Sequence, residues 1–171
     1  IVTMAAGLAL EGKIPYINTI ATFLTRRCFE QIVLDLGLHK TKVRLIASGG
    51  GLVYAPLGPT HLATDDIAIL RAVPNMTILA PADADEMRRL MLQTPDVDGP
   101  VYIRLAKGGD LIVSRADLPC EIGKAILLRE GRDARGGLAP AEMLAPRLRA
   151  EPELDQRRGS GRDGDATRRN Q

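Results

Sequence analysis

Residues 48–81 read SGGGLVYAPLGPTHLATDDIAILRAVPNMTILAP, and the order of elements inside this stretch decides the fold. A glycine triplet, Gly49-Gly50-Gly51, leads into a proline-stiffened loop that delivers His61 through Gly58-Pro59-Thr60. Thr64 to Ala72 has the acidic first turn of a short helix, which Pro74 and Asn75 end. Met76 to Ala80, MTILA, then reads as a buried strand. Just upstream, Lys42 to Ala47, KVRLIA, is a strand that runs into the triplet, where no side chain is left to continue it. A histidine on a stiff loop near the end of a strand is a candidate for chemistry on a bound small molecule.

Working outward, the same alternation continues in both directions. Ile1 to Glu11 is rich in helix formers and stops at Gly12. Lys13 to Thr19 is a short β-branched strand with Pro15 near its start. Thr22 or Thr25 can cap a helix from Phe23 to Gly37, with Cys28, Ile32, Val33 and Leu36 on its apolar face. Downstream, Asp83 and Glu86 form a capping-box pair ahead of a helix striped by Met87, Leu90 and Met91. Thr94 to Pro100 is a loop, and Val101 to Leu105 is the last strand. Strands alternating with helices predict an α/β fold, a three-layer parallel sheet with helices on both faces.

Composition bounds what such a domain can do. At 171 residues the chain suits one domain plus a tail. Aromatics make up only 3% and Trp is absent, so the core must be aliphatic. The net charge of +2 belongs to the tail: residues 134–171 carry 8 Arg against 6 acids, leaving residues 1–133 balanced at 15 of each sign. A neutral body gives no footprint for nucleic acid. Cys28 and Cys120 lack metal-ligand spacing and make no disulfide framework, so no metal site and a cytoplasmic setting are expected. No apolar run is long enough to span a bilayer. An opening Ile in place of Met suggests a chain that starts inside a longer protein.

Three side chains have two readings each. His61 is either an imidazole aimed into a cleft at the carboxyl end of the sheet or a loop histidine satisfied by backbone groups. Arg104, on an apolar strand, either pairs with a protein carboxylate or grips a substrate phosphate. Phe23 is either core or a platform for a flat heteroaromatic ring, with Arg26 and Arg27 beside it. The glycine triplet lacks the spacing of a phosphate loop and reads better as a turn that a ligand approaches closely. Asp65 and Asp66 read as helix N-terminal charges rather than a catalytic pair.

Taken together, MAAGLALEGKIPY, ATFLTRRCFEQI, GGGLVYAPLGPTH, DDIAILRAVPNMTILAPADADEM, GPVYIRLAKG and EIGKAILLREG resemble the pyrimidine-binding domain of the transketolase family, the thiamine-diphosphate enzymes. The resemblance covers residues 1 to about 133 in the family's order. It implies that Phe23 packs on the cofactor's aminopyrimidine, with Ile20 and Arg26 at flanking cofactor-pocket positions. It places His61 close to the thiazolium and the substrate, and makes Arg104 the residue that grips a sugar phosphate. The implied reaction moves a two-carbon ketol unit between sugar phosphates. The alternatives are a 1-deoxy-D-xylulose-5-phosphate synthase, another thiamine-diphosphate enzyme, or a non-catalytic truncated product. Gly-Pro-Thr-His argues against a 2-oxo acid dehydrogenase beta subunit.

Departures from the family pattern set further expectations. The glutamate that activates the cofactor should fall just ahead of Ile1, so the domain is expected to be incomplete at its amino end. Leu57 stands where the family has an acid that contacts a substrate hydroxyl, and Gly49 where it has a further histidine. Leucine accepts no hydrogen bond, which points away from the usual pentose phosphates. The diphosphate and its Mg2+ are expected on a domain outside this chain, reached through a homodimer or a split-subunit partner. Residues 1–118 form the partial domain and 119–133 a linker entering the next domain with a short strand. Residues 134–171 are an expected disordered or out-of-frame tail.

Overall fold

In the computed structural model of this chain, residues 1–124 and 126 are described. Helix α1, Val2–Leu10, leads to strand β1, Tyr16–Ile20, and helix α2, Ala21–Thr25. Helix α3, Phe29–Gln31, widens into π-helical turns over Ile32–Leu38 before strand β2, Arg44–Ser48. Two 3-10 turns, Ala55–Leu57 and Pro59–His61, carry the loop to helix α4, Asp66–Leu70. Strand β3, Thr77–Leu79, helix α5, Ala84–Met91, a 3-10 turn at Thr94–Asp96 and strand β4, Val101–Arg104, complete the order.

The four strands form one parallel sheet in the order β1-β2-β4-β3. Side chains alternate across it, as strand geometry requires. Leu45, Ala47, Ile78 and Tyr102 join one apolar cluster with Val2, Leu24, Ile32, Leu36 and Leu70. Val101, Ile103 and Leu79 face the other way, onto Leu90, Met87 and Met91 of α5. Helices therefore cover both faces, and the three-layer parallel fold expected from the sequence is the one formed. The core is aliphatic apart from Tyr102 and the partly buried Phe29.

One expected helix is two. The stretch read as a single helix from Phe23 to Gly37 breaks between Thr25 and Phe29, and its first part begins earlier, at Ala21. Neither threonine caps it. Ile20 occupies the cap position, and both Thr22 and Thr25 are buried. The Thr25 hydroxyl instead donates to the Ala21 carbonyl, 2.9 Å away and four residues back. A hydroxyl that bonds back in this way competes with the helix ladder and bends it.

Arg44 lies wholly buried at the amino end of β2, opposite the end where the loops gather. It donates to the carbonyls of Gly99 and Val97, at 2.7 Å each, and burial pulls its pKa down. This arginine holds the 97–99 loop in place. The strand expected within 119–132 and the tail from 134 lie outside the described residues, save that 119–124 form turns and irregular chain.

Candidate functional site

The residues singled out from the sequence gather at the carboxyl ends of β1, β2 and β4, where parallel α/β sheets bind ligands. Register fixes the levels: Ile20 pairs with Ser48, and Ala47 with Arg104. Ile20 ends β1 and opens α2, so Phe23 sits in the first turn of that helix. The loop from Leu52 to Leu62 leaves β2 and returns through a two-way backbone bridge, Gly51 N–H to Ala63 O at 2.8 Å and Ala63 N–H to Gly51 O at 3.0 Å. Pinned at its base, that loop brings His61 back over α2.

Phe23 and His61 meet edge to face, with ring centroids 5.1 Å apart and planes at 62°. The Arg27 guanidinium lies 4.0 Å from the Phe23 centroid, covering one face of the ring. His61 Nδ1 is 3.0 Å from the Thr60 hydroxyl, which orients the imidazole. Arg26 reaches across to the same loop: its Nε donates to Asp65 Oδ1 at 3.1 Å, and its Nη2 to the Leu62 carbonyl. Phe23, Arg26 and His61 are thus brought together, with Ile20 three residues before the phenyl ring on the same junction.

Arg104 has a protein partner. Its Nε donates to Asp66 Oδ2 at 2.8 Å, and the Tyr102 hydroxyl donates to the same oxygen at 2.8 Å. Asp66 is 1% exposed and Tyr102 is fully buried. Burial, with the Asp66 charge alongside, pushes the phenol well above its ordinary pKa, so it remains a donor. Asp65 and Asp66 do sit at the start of α4, as read from the sequence, yet both carboxylates are committed to arginines.

The glycine triplet is not an open cradle. Its three amides donate to Ala106, Leu105 and Ala63 carbonyls. The protein's own side chains take the space above it: a Cβ on Gly49 would stand 2.1 Å from the Tyr54 ring, and one on Gly50 2.7 Å from Arg104 Cζ. Tyr54, Asp66 and Tyr102 went unread in the sequence as parts of this site. Only the strand parity of Tyr102 and Arg104, two apart on one face, could have signalled the last of these.

The residues suit a flat heteroaromatic: a partly exposed Phe23, an imidazole inclined at 62° to it, and guanidinium groups close by. They do not suit a diphosphate at the triplet, whose amides are spent. Among the described residues, no group of three His, Cys, Asp or Glu side chains could hold a metal ion. Nor, among them, is any helix long and apolar enough to cross a membrane.

Known proteins resemble this chain in sequence and in fold. The chain is 36% identical over 151 residues to the 6-deoxy-6-sulfo-D-fructose transketolase subunit SqwH of a Clostridium species, covering 88% of this chain and 47% of that protein. It is 40% identical over 156 residues to the 1-deoxy-D-xylulose-5-phosphate synthase of Thiobacillus denitrificans, covering 90% of this chain and 25% of that one. A split-gene transketolase solved as an inactive beta4 tetramer superposes with a TM-score of 0.66 at 37% identity, over 76% of this chain and 41% of that chain. A transketolase from Campylobacter jejuni shares the fold at 22% identity, with a TM-score of 0.57 over 66% of this chain and 18% of the other. The chain spans less than half the length of each of these relatives. With residues 1–109 matching the pyrimidine-binding domain of transketolase, the chain belongs to the transketolase family.

Proposed function

We propose that this chain supplies the pyrimidine side of a thiamine-diphosphate active site that transfers a two-carbon ketol unit between sugar phosphates. The observation that carries this reading is the meeting of Phe23 and His61 at 5.1 Å, on the carboxyl ends of the sheet. Thiamine diphosphate, when bound, supplies the nucleophilic carbon for the transfer. Phe23 packs on its pyrimidine ring, flanked by Ile20 and Arg26. His61, oriented by Thr60, holds or moves a proton at a substrate oxygen. Arg104 binds the substrate phosphate through the guanidinium hydrogens that Asp66 leaves over.

Residues 1–118 act as a partial domain in this reading, and a partner completes the site with the diphosphate and Mg2+ ligands. Two relatives support a partner by their own descriptions, one a transketolase subunit and one a split-gene transketolase. Leu57 is exposed on the loop and accepts no hydrogen bond, which favours a substrate lacking a hydroxyl at that contact. A second reading, a 1-deoxy-D-xylulose-5-phosphate synthase-like activity, draws on the 40% identity to that enzyme.

Calorimetric titration of thiamine diphosphate with Mg2+ tests the proposal, on the chain alone and mixed with a diphosphate-binding transketolase subunit. Saturable binding in the mixture, with two-carbon transfer between sugar phosphates, is expected. Absence of binding in both settings overturns the proposal in favour of a non-catalytic product. Formation of 1-deoxy-D-xylulose 5-phosphate in place of transfer moves the assignment to the synthase.

A further inference from the structure

We infer that Gly50, Asp66 and Tyr102 form a seat that positions the Arg104 guanidinium for end-on capture of a tetrahedral oxyanion. This rests on the reading of Arg104 as the anion-binding residue and adds how that residue is held.

Tyr102 and Arg104 project from the same face of β4, toward α4. There the Asp66 carboxylate, 1% exposed, accepts from both on a single oxygen. A carboxylate at that depth needs its charge balanced, and Arg104 is the cation in contact with it. The phenol fixes the oxygen from one side while the guanidinium fixes it from another.

Gly50 forms the opposite wall. A Cβ there would stand 2.7 Å from Cζ, 2.8 Å from Nε and 2.9 Å from Cγ of Arg104. The side chain lies directly against the glycine backbone, in space that any other residue would take. Gly51 adds a second close approach, its Cβ position lying 3.2 Å from Nη2. Two glycines of the triplet therefore make room for an arginine of the protein, which accounts for a motif that the proposed chemistry leaves unused.

The seat also selects the edge that remains. The guanidinium Nε carries one hydrogen, and Asp66 takes it. A side-on grip through Nε and one Nη is thereby closed, and with Nη2 also reaching the Ala63 carbonyl at 3.5 Å, an anion must come to the guanidinium hydrogens left over at the Nη end. The Arg104 side chain is 28% exposed, so it is not sealed off from a ligand. An arginine fixed before binding loses little rotamer freedom when the anion arrives, so the seat raises affinity without touching the ligand.

Titration of the full chain with inorganic phosphate and with D-fructose 6-phosphate, followed through the arginine Nε–H resonances, tests this. Arg104→Met loses the response. Tyr102→Phe and Gly50→Ala weaken phosphate binding by roughly threefold or more at temperatures where thermal melts show both variants folded, and each speeds exchange of the Arg104 Nε–H. Should both variants bind phosphate within about twofold of the unmodified chain while Arg104→Met does not, the ion pair is structural only and the seat is overturned, with the Arg104 reading intact. Should Arg104→Met bind like the unmodified chain, or the unmodified chain give no response, the Arg104 reading fails and the seat with it.

Discussion

A carboxylate as deeply buried as that of Asp66 is tolerated only while its charge is matched and its oxygens are hydrogen-bonded; Arg104 supplies the charge and Tyr102 a second donor. Asp66→Ala would leave a guanidinium and a phenol without their acceptor and is expected to cost about 3 kcal/mol. Tyr102→Phe removes one hydrogen bond and should cost about 1 kcal/mol. Urea denaturation measures both. Arg104 had two readings in the sequence because Asp66 lies 38 residues away, and only the strand order brings α4 over β4. His61 was legible as a candidate because Gly58-Pro59-Thr60 is a local signal, whereas its contact with Phe23 is tertiary. In the proposed complex with a diphosphate-binding subunit, His61→Ala should lower kcat by roughly a hundredfold and leave thiamine-diphosphate affinity little changed. A parallel loss of cofactor affinity would place the imidazole in cofactor binding instead.

The strand–helix alternation was readable because period and turn residues are local, and the elements fell close to where those signals put them. The break between α2 and α3 was not, since it depends on a buried threonine hydroxyl choosing a backbone carbonyl. Helix α5 shows both limits. Asp83 caps it as expected, accepting from the amides of Asp85 and Glu86, but the Glu86 carboxylate turns back to the Ala82 amide rather than to Asp83. Asp83 also accepts from the Val113 and Ser114 amides and from the Ser114 hydroxyl, tying the segment after β4 to the helix start. Nothing in the local sequence announces that second role, made across 30 residues. These donors, the Glu86 amide foremost, hold the Asp83 carboxyl well below the usual carboxylate range. A folded pKa below the unfolded value of about 3.9 means a stabilising contribution that is whole above that pH and lost as pH falls toward the folded value. Melting temperatures of the chain and of Asp83→Asn should therefore differ most near neutrality and converge below about pH 4. A difference that stays constant through acid would show that the cap geometry, not the charge, is what Asp83 contributes.

At the scale of the molecule, α1 carries no charged residue on any side, yet only Val2, Ala5 and Ala6 are buried. Met4 is 74% exposed and Leu8 51%, one turn apart on the same side as Ile1, and β1 is an edge of the sheet. Apart from Thr3, whose hydroxyl donates to Asp35 Oδ2 at 2.7 Å, the helix is apolar, and an exposed apolar face of this kind marks a surface that further polypeptide covers. A second copy of this chain is the occupant to test first, because like apolar faces bury one another and the chain itself is the partner present in any solution of it. Sedimentation velocity should show association that grows with concentration, and Met4→Lys combined with Leu8→Lys should shift the chain to monomer, because each ammonium would have to leave water within the contact. Since neither side chain is among the buried residues of the core, the double variant should keep its melting temperature at concentrations where the unmodified chain is already monomeric. Monomer at every concentration in the unmodified chain would overturn self-association. Association that persists unchanged in the double variant would move the contact away from α1, with the β1 edge the next surface to charge.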